Sequence, residues 1–271
     1  MAHPQQISYV KTIAQHLSKD FTGVKVLEIG SYNVNGSIRE CFPGSTYTGV
    51  DLTEGPGVDL VADGHAIDHP ADSYDIALSC ECFEHNPYWL ETFLNMYRMA
   101  KPGGFVVFTC ATRGRLEHGT RRTSPKASPG TQDVGWDYYL NLEAKDFEKR
   151  IVFDELFSSY VFIVNKKSRD LYFVGKKNGD SIVLKFDKNV FLKSYFADQK
   201  SLESDLKKRR SLLGTIFWSL YVLSQIPLNA LNFLPDRIFQ KFAITYHKTL
   251  LCLLGPFGKL VKKKINPESV V

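Results

Sequence analysis

The sequence predicts an open, mostly parallel α/β sheet of seven strands with helices on both faces, followed by a helical C-terminal extension. Three observations carry this. Val24 to Asp51 reads as one strand-turn-helix-strand unit with carboxylates near both strand ends, Glu28 and Asp51. Apolar runs of strand length then alternate with segments of helical period as far as Cys110. Two further apolar runs, Ser159 to Asn165 and Asp170 to Gly175, are joined at Lys166-Lys167-Ser168 and read as a closing antiparallel hairpin.

Taken in order, Ile7, Val10, Ile13, Ala14 and Leu17 recur at helical spacing and form a first helix beside the sheet. The first strand runs Val24-Lys25-Val26-Leu27 into Glu28-Ile29-Gly30. Gly30 and Gly36 permit backbone conformations closed to other residues, so the chain turns sharply there and a ligand approaches the main chain. Ser37 to Cys41 is a short helical segment, and the second strand ends at Asp51, about 20 residues past the turn. A carboxylate so placed accepts hydrogen bonds from ribose hydroxyls. A dinucleotide site requires G-x-G-x-x-G, but Tyr32 and Asn35 stand where the second and third glycines belong. Glu28 would also repel a pyrophosphate and attract an ammonium or sulfonium.

Val58 to Ala62 is the third strand and Tyr74 to Ser79 the fourth. Leu90, Phe93, Leu94 and Tyr97 mark a helix that Lys101-Pro102-Gly103-Gly104 ends, and Phe105 to Cys110 is the fifth strand. The fourth strand leads into Cys80-Glu81-Cys82-Phe83-Glu84-His85-Asn86-Pro87. Ala111 to Asp137 shows no period and reads as a long functional loop, rich in arginine: Arg113, Arg115, Arg121, Arg122. Leu142 to Arg150 reads as a helix, and Ile182 to Phe186 as a further strand.

The run VLEIGSYNVNGS resembles motif I of class I S-adenosylmethionine-dependent methyltransferases, in a variant where Asn-Gly follows the turn. The resemblance continues through YTGVDL, DLVADGHAI, YDIALSCECFEHNP and MAKPGGFVVF, in the family's order and spacing from Val24 to Cys110. It implies a Rossmann-like fold and S-adenosylmethionine as cofactor. Cofactor-binding residues are then expected among Glu28, Gly30, Ser31, Tyr32, Asn35, Gly36, Asp51, Leu52, Asp63, Gly64 and Cys80, with Glu28 at the amino-acid end, Asp51 on the ribose and Asp63 by the adenine. The Glu84-His85 pair matches an E-H pair of many members. His85, or His118 in the loop, is the expected proton acceptor for a hydroxyl substrate, since an unperturbed imidazole titrates near pH 6.5. For His85 the alternative is a cap for the next helix or a contact with the cofactor that moves no proton.

The guanidinium fork pairs with phosphate or carboxylate oxygens at two points. Arg113, Arg121 and Arg122, with Trp136 and Tyr139 as stacking surfaces, are therefore expected to bind the acceptor, a sugar or another anionic glycan or phosphorylated molecule. The alternatives are a solvated lid, and core positions for the two aromatics. A small molecule or a protein as acceptor, or a non-catalytic cofactor-binding adaptor, are the competing functions. Nucleic acid ranks last, because no N-P-P-Y-like motif follows the fourth strand.

At 271 residues, 44% hydrophobic and 23% charged, the chain is ordinary for a globular protein. Five cysteines without zinc-ligand spacing are read as reduced thiols, no metal ligands are assigned while the need for a metal stays open, and the N-terminus lacks the apolar core of a secretory leader. A cytoplasmic protein is expected, with peripheral attachment to the inner face of a membrane as an alternative. Residues 1–176 are read as the catalytic domain and 177–271 as the extension. Net charge is +5, but Lys207 to Val271 carries +9 and the rest −4. Between Ser211 and Pro235 there is no charge, yet Pro227 and three amides divide the run, and its 15-residue part spans only about 22 Å as a helix. Residues 207–264 are expected to form apolar, lysine-flanked helices that lie on a bilayer, fold onto the body or join a homodimer.

Overall fold

The computed structural model describes residues 3–181, 183–210 and 212–265. Its sheet has seven strands: β1 Lys25–Ile29, β2 Thr46–Asp51, β3 Leu60–Val61, β4 Tyr74–Cys80, β5 Ala100–Ala111, β6 Phe157–Asn165 and β7 Asp170–Lys177. They lie in the order β3-β2-β1-β4-β5-β7-β6. All neighbours as far as β5 pair in parallel, and β7 runs antiparallel to both β5 and β6. Order reverses at β1, where β2 lies on one side and β4 on the other, so the carboxyl ends of these three strands open a crevice.

Strand alternation divides the core into two layers. Leu27, Ile29, Ala77 and Phe108 face one way, onto helix α2 (Trp89–Met99) through Phe93 and Met96. Phe108 stacks on Phe147 and Phe173 at centroid distances of 4.7 and 5.1 Å. Val26, Ile76, Leu78 and Val107 face the other way, onto helix α1 (Pro4–Leu17), with Tyr9, Val10 and Ile13. Helix α1 starts on a reciprocal cap between His3 and Gln6 with Pro4 in the first turn, where a missing N–H costs nothing.

The chain between β5 and β6 is not structureless. It holds the short helices α3 Pro129–Asp133, α4 Ala144–Glu148 and α5 Phe153–Leu156. The helix read over Leu142 to Arg150 is thus confined to α4. The predicted stop at Lys101 to Gly104 ends α2 but lies within β5 rather than before it, with an irregularity in the pairing to β4. The strand expected from Ile182 to Phe186 does not form: residues 183–186 are irregular, and Ile182 lies outside the described residues. Leu184 and Phe186 nonetheless pack against the second core layer.

Beyond the sheet come helices α6 Lys188–Lys208, α7 Leu212–Ser224, α8 Ile226–Ala230 and α9 Asp236–Ile265. Although α6 falls in the segment read as an extension, its Phe191 and Tyr195 sit in the second core layer edge-on to Tyr9. Thr12 of α1 donates a hydrogen bond to Asp198 at 2.7 Å. Among the described residues, no helix is long and apolar enough to cross a membrane. Helices α8 and α9 form a small core of Leu228, Phe239 and Ala243 against Leu116 of the β5–β6 segment. Gln240 fixes that contact, accepting from the Glu117 N–H at 3.0 Å and donating to the Arg115 carbonyl at 2.8 Å.

Candidate active site

At the carboxyl ends of β1, β2 and β4 lies a cavity with about 620 Å³ of atom-free space, counted with its open mouth. Its walls are Ile29, Gly30 and Tyr32 after β1, Asp51 and Leu52 at β2, Asp63 and Gly64 after β3, and Glu81, Cys82 and His85 after β4; residues 127–131 and Trp136 cover it.

Gly30 has φ +85°, and a Cβ there would stand 2.7 Å from that of Cys82. Only glycine lets the β1 turn pass so close to the β4 end. Asp51 accepts from the Tyr32 N–H at 3.0 Å through one oxygen and from its neighbour Leu52 at 2.8 Å through the other. Each oxygen keeps a lone pair for a further donor, as a ribose diol requires. Burial raises the Asp51 pKa against the pull of these two N–H groups. Asp63 Oδ1 takes the backbone and ring nitrogens of His65, whose ring stacks on Tyr88 at 4.2 Å. Gly64 also needs to be bare, since a Cβ would lie 2.6 Å from Ile29. These donors, acceptors and bare glycines fit a nucleoside carrying a cationic sulfonium, with carboxylates on three sides.

Several expected residues lie elsewhere. Glu28 does not line the cavity: its side chain accepts a 2.8 Å hydrogen bond from Tyr47, and burial lifts its pKa to about 7. The carboxylate that does line this end is Glu81. Cys80 points into the second core layer, and Cys82 takes the cavity position instead. Ser31, Asn35 and Gly36 are also outside the lining; the Gly36 N–H donates to the Asn33 side chain at 2.7 Å. Tyr139 is part-buried and outside the lining, bonded to the Leu116 carbonyl and to Asn141, whereas Trp136 does reach the cavity.

The arginines expected to hold an acceptor are largely engaged within the chain. Arg113 forms an ion pair with Glu143 at 2.7 Å, donates to the Asn232 carbonyl and is not part of this cavity's lining. Arg122 pairs with Glu117, and Arg115 with Asp170 at 3.1 Å. Arg121 is exposed, and its guanidinium has no ion-pair partner among the described residues; its backbone N–H donates to the Asp137 carboxylate at 2.8 Å.

His85 lines the cavity, and His118 lies behind it with ring centroids 4.9 Å apart, edge-on. Burial holds the His85 pKa well below its usual value, and that of His118 at about 3, so both rings are neutral at physiological pH. The third member of this group, Glu84, is fully buried, and burial with the Glu81 charge raises its pKa to about 8. Sequence reading gave no role to Glu81 or Cys82, and it named Glu84 only as the neighbour of His85. Glu81 had no sequence signal for its backbone, which sits at φ +52°, a costly conformation for a non-glycine residue that concentrates at functional sites.

A family described as Methyltransferase domain matches residues 1–140. Ubiquinone biosynthesis O-methyltransferases of Pseudomonas savastanoi pv. phaseolicola and Pseudomonas syringae pv. syringae are each 32% identical over 153 residues, covering 49% of this chain and 61% of theirs. The chain thus spans about three fifths of the length of these relatives. Among solved structures, phosphoethanolamine N-methyltransferase 2 of Haemonchus contortus in complex with S-adenosyl-L-methionine has 15% identity and a TM-score of 0.44, covering 62% of this chain and 52% of its own. With the family match over half its length and the motifs in place on the sheet, the chain belongs to the class I S-adenosylmethionine-dependent methyltransferases.

Proposed function

We propose that the chain transfers a methyl group from S-adenosylmethionine to a hydroxyl oxygen of a small acceptor met at a membrane surface. The observation that carries this is the cavity at the β1–β2–β4 ends, with Asp51 held by two backbone N–H groups on one side and His85 on the other. Gly30, Tyr32, Asp51, Asp63 and Gly64 would hold the donor. Bound there, the donor supplies an activated methyl on positively charged sulfur. The acceptor oxygen loses its proton, forms the new O–CH3 bond as the S–CH3 bond breaks, and leaves S-adenosylhomocysteine. The chain contributes alignment and exclusion of water. At the acceptor side it offers the neutral His85, backed by Glu84 and His118, for handling that proton.

Oxygen as the acceptor atom draws support from the relatives named for O-methylation in ubiquinone biosynthesis. An anionic glycan draws less, because Glu143 and Glu117 already engage Arg113 and Arg122. Membrane proximity draws support from helices α7–α9 and their linkers. Leu223, Ile226, Phe233 and Phe242 there are 56–74% exposed; Lys207 and Lys208 precede them in the chain and Lys241 is the neighbour of Phe242. The test is a panel of methyl-labelled turnovers: hydroxylated aromatics free and in anionic vesicles, phosphorylated sugars, and amines. Label on a phenolic oxygen, faster with vesicles, is expected. Label on nitrogen or carbon alone would overturn the oxygen assignment, and label on a sugar phosphate would restore the glycan.

A further inference from the structure

We propose that Glu84, His85 and His118 form a binding site for one divalent transition cation of the zinc class. Their ligand atoms lie within 4.8 Å of one another. Glu84 is 0% and His85 4% exposed, yet neither carboxylate oxygen of Glu84 nor Nδ1 of His85 has a hydrogen-bond partner among the described residues. Buried polar atoms are rarely left so, and three unpartnered acceptors at one point call for a cation.

The imidazoles are prepared for it. His118 Nδ1 lies 3.0 Å from the Leu116 carbonyl, so Nδ1–H donates and Nε2 keeps its lone pair. In His85 it is Nδ1 that is buried without a partner among the described residues, which leaves that nitrogen for a ligand. A ligating histidine whose other nitrogen is held by a carbonyl is the arrangement metal sites use to set tautomer and direction. Space is kept as well: a Cβ at Gly119, where φ is +69°, would stand 3.0 Å from His85 Nδ1 and 2.6 Å from its Cε1. Two neutral imidazoles and one carboxylate favour zinc-class ions over magnesium or calcium, which take oxygen donors. The nearby His3, Glu81 and Asp170 are different, because Arg115 already supplies their positive charge.

Such a cation would clip the β5–β6 segment, through His118, to the end of β4. Its chemical role rests on the methyl-transfer reading: beside the cavity it would lower the pKa of an acceptor hydroxyl, and this would replace proton acceptance by His85, whose Nδ1 lone pair the ion would occupy. Its existence does not, so binding is read without turnover. Full-length, tag-free protein is stripped with chelator and titrated with Co²⁺ by absorption and Zn²⁺ by calorimetry. One ion per chain is expected, with ligand-field bands of low coordination number and a rise in melting temperature. Glu84→Gln and the part-exposed His118→Gln should each weaken binding about tenfold or more. Asp51→Ala should keep the ion while losing the cofactor, which separates this site from the cofactor site. Absence of both heat and cobalt bands in the parent protein, or unchanged affinity in a folded His118→Gln, would overturn the proposal.

Discussion

Glu28→Gln converts the buried acid beneath the cavity into a neutral group of the same shape, and its effect depends on pH in a direction the structure fixes. Glu28 is 6% exposed, and its pKa rises from 4.5 to about 7, chiefly by burial, despite the Tyr47 hydrogen bond and the Arg39 charge. Between these values the folded chain holds a proton there that the unfolded chain has released. Stability attributable to this group is therefore full below about pH 4.5 and is lost as pH rises through about 7. The shift corresponds to about 3 kcal/mol. Glutamine keeps the acceptor for the Tyr47 hydroxyl and does not ionise. Parent and variant should be equally stable near pH 4.5 and diverge until the variant is more stable by about 2–3 kcal/mol near pH 8. Urea unfolding of both, without cofactor, at half-unit steps of pH reads the difference directly, and all other titrating groups cancel. A difference that is constant across this range would show that Glu28 is not carried uncharged in the folded state.

Other expectations are equally specific. Gly30→Ala forces a left-handed alanine, costing about 1–2 kcal/mol, and adds a methyl against Cys82; melting temperature and cofactor affinity should fall together, and a silent substitution would remove the close approach of β1 to β4. Phe233→Glu with Phe242→Glu replaces two exposed rings and should abolish flotation with anionic vesicles while leaving the circular dichroism spectrum unchanged; equal flotation would leave these helices a packing or dimer element. Glu117→Gln should release Arg122 and loosen the β5–β6 segment, seen as faster amide exchange at Thr120 and Thr123, whose hydroxyls also meet Glu117; unaltered exchange would show that this carboxylate does not organise the segment.

What the sequence made legible was what depends on local spacing. Apolar runs located the seven strands of the sheet, though the same reading made a strand of Ile182 to Phe186, where residues 183–186 are irregular, and the acid at the end of β2 marked the cavity wall. Parity could have been pushed further: Cys80 follows Ile76 and Leu78 at steps of two and so shares their buried face, which excludes it from the cavity. The arginines were misjudged because charge in a loop says nothing about partners. Glu143 comes from the start of α4 and Asp170 from the start of β7, brought close only by the fold. Glu84, His85 and His118 were invisible as a group for the same reason, being drawn from two segments that meet only when the β5–β6 chain folds back over the sheet. The order within residues 111–137 also comes from outside, from Gln240 of α9.

The most direct test of cofactor binding at the β1–β2–β4 crevice is calorimetry with S-adenosylmethionine and S-adenosylhomocysteine on the parent chain and on Asp51→Ala. A hydrogen bond to a buried charged group contributes about 1.5–3 kcal/mol, so the variant should bind about 10- to 150-fold more weakly. The variant should remain folded, because the Tyr32 and Leu52 N–H groups it frees face the cavity and can be met by water. Tight binding by the parent with that loss places the ribose on Asp51. Equal affinity in parent and variant, or no binding by the parent, would contradict it.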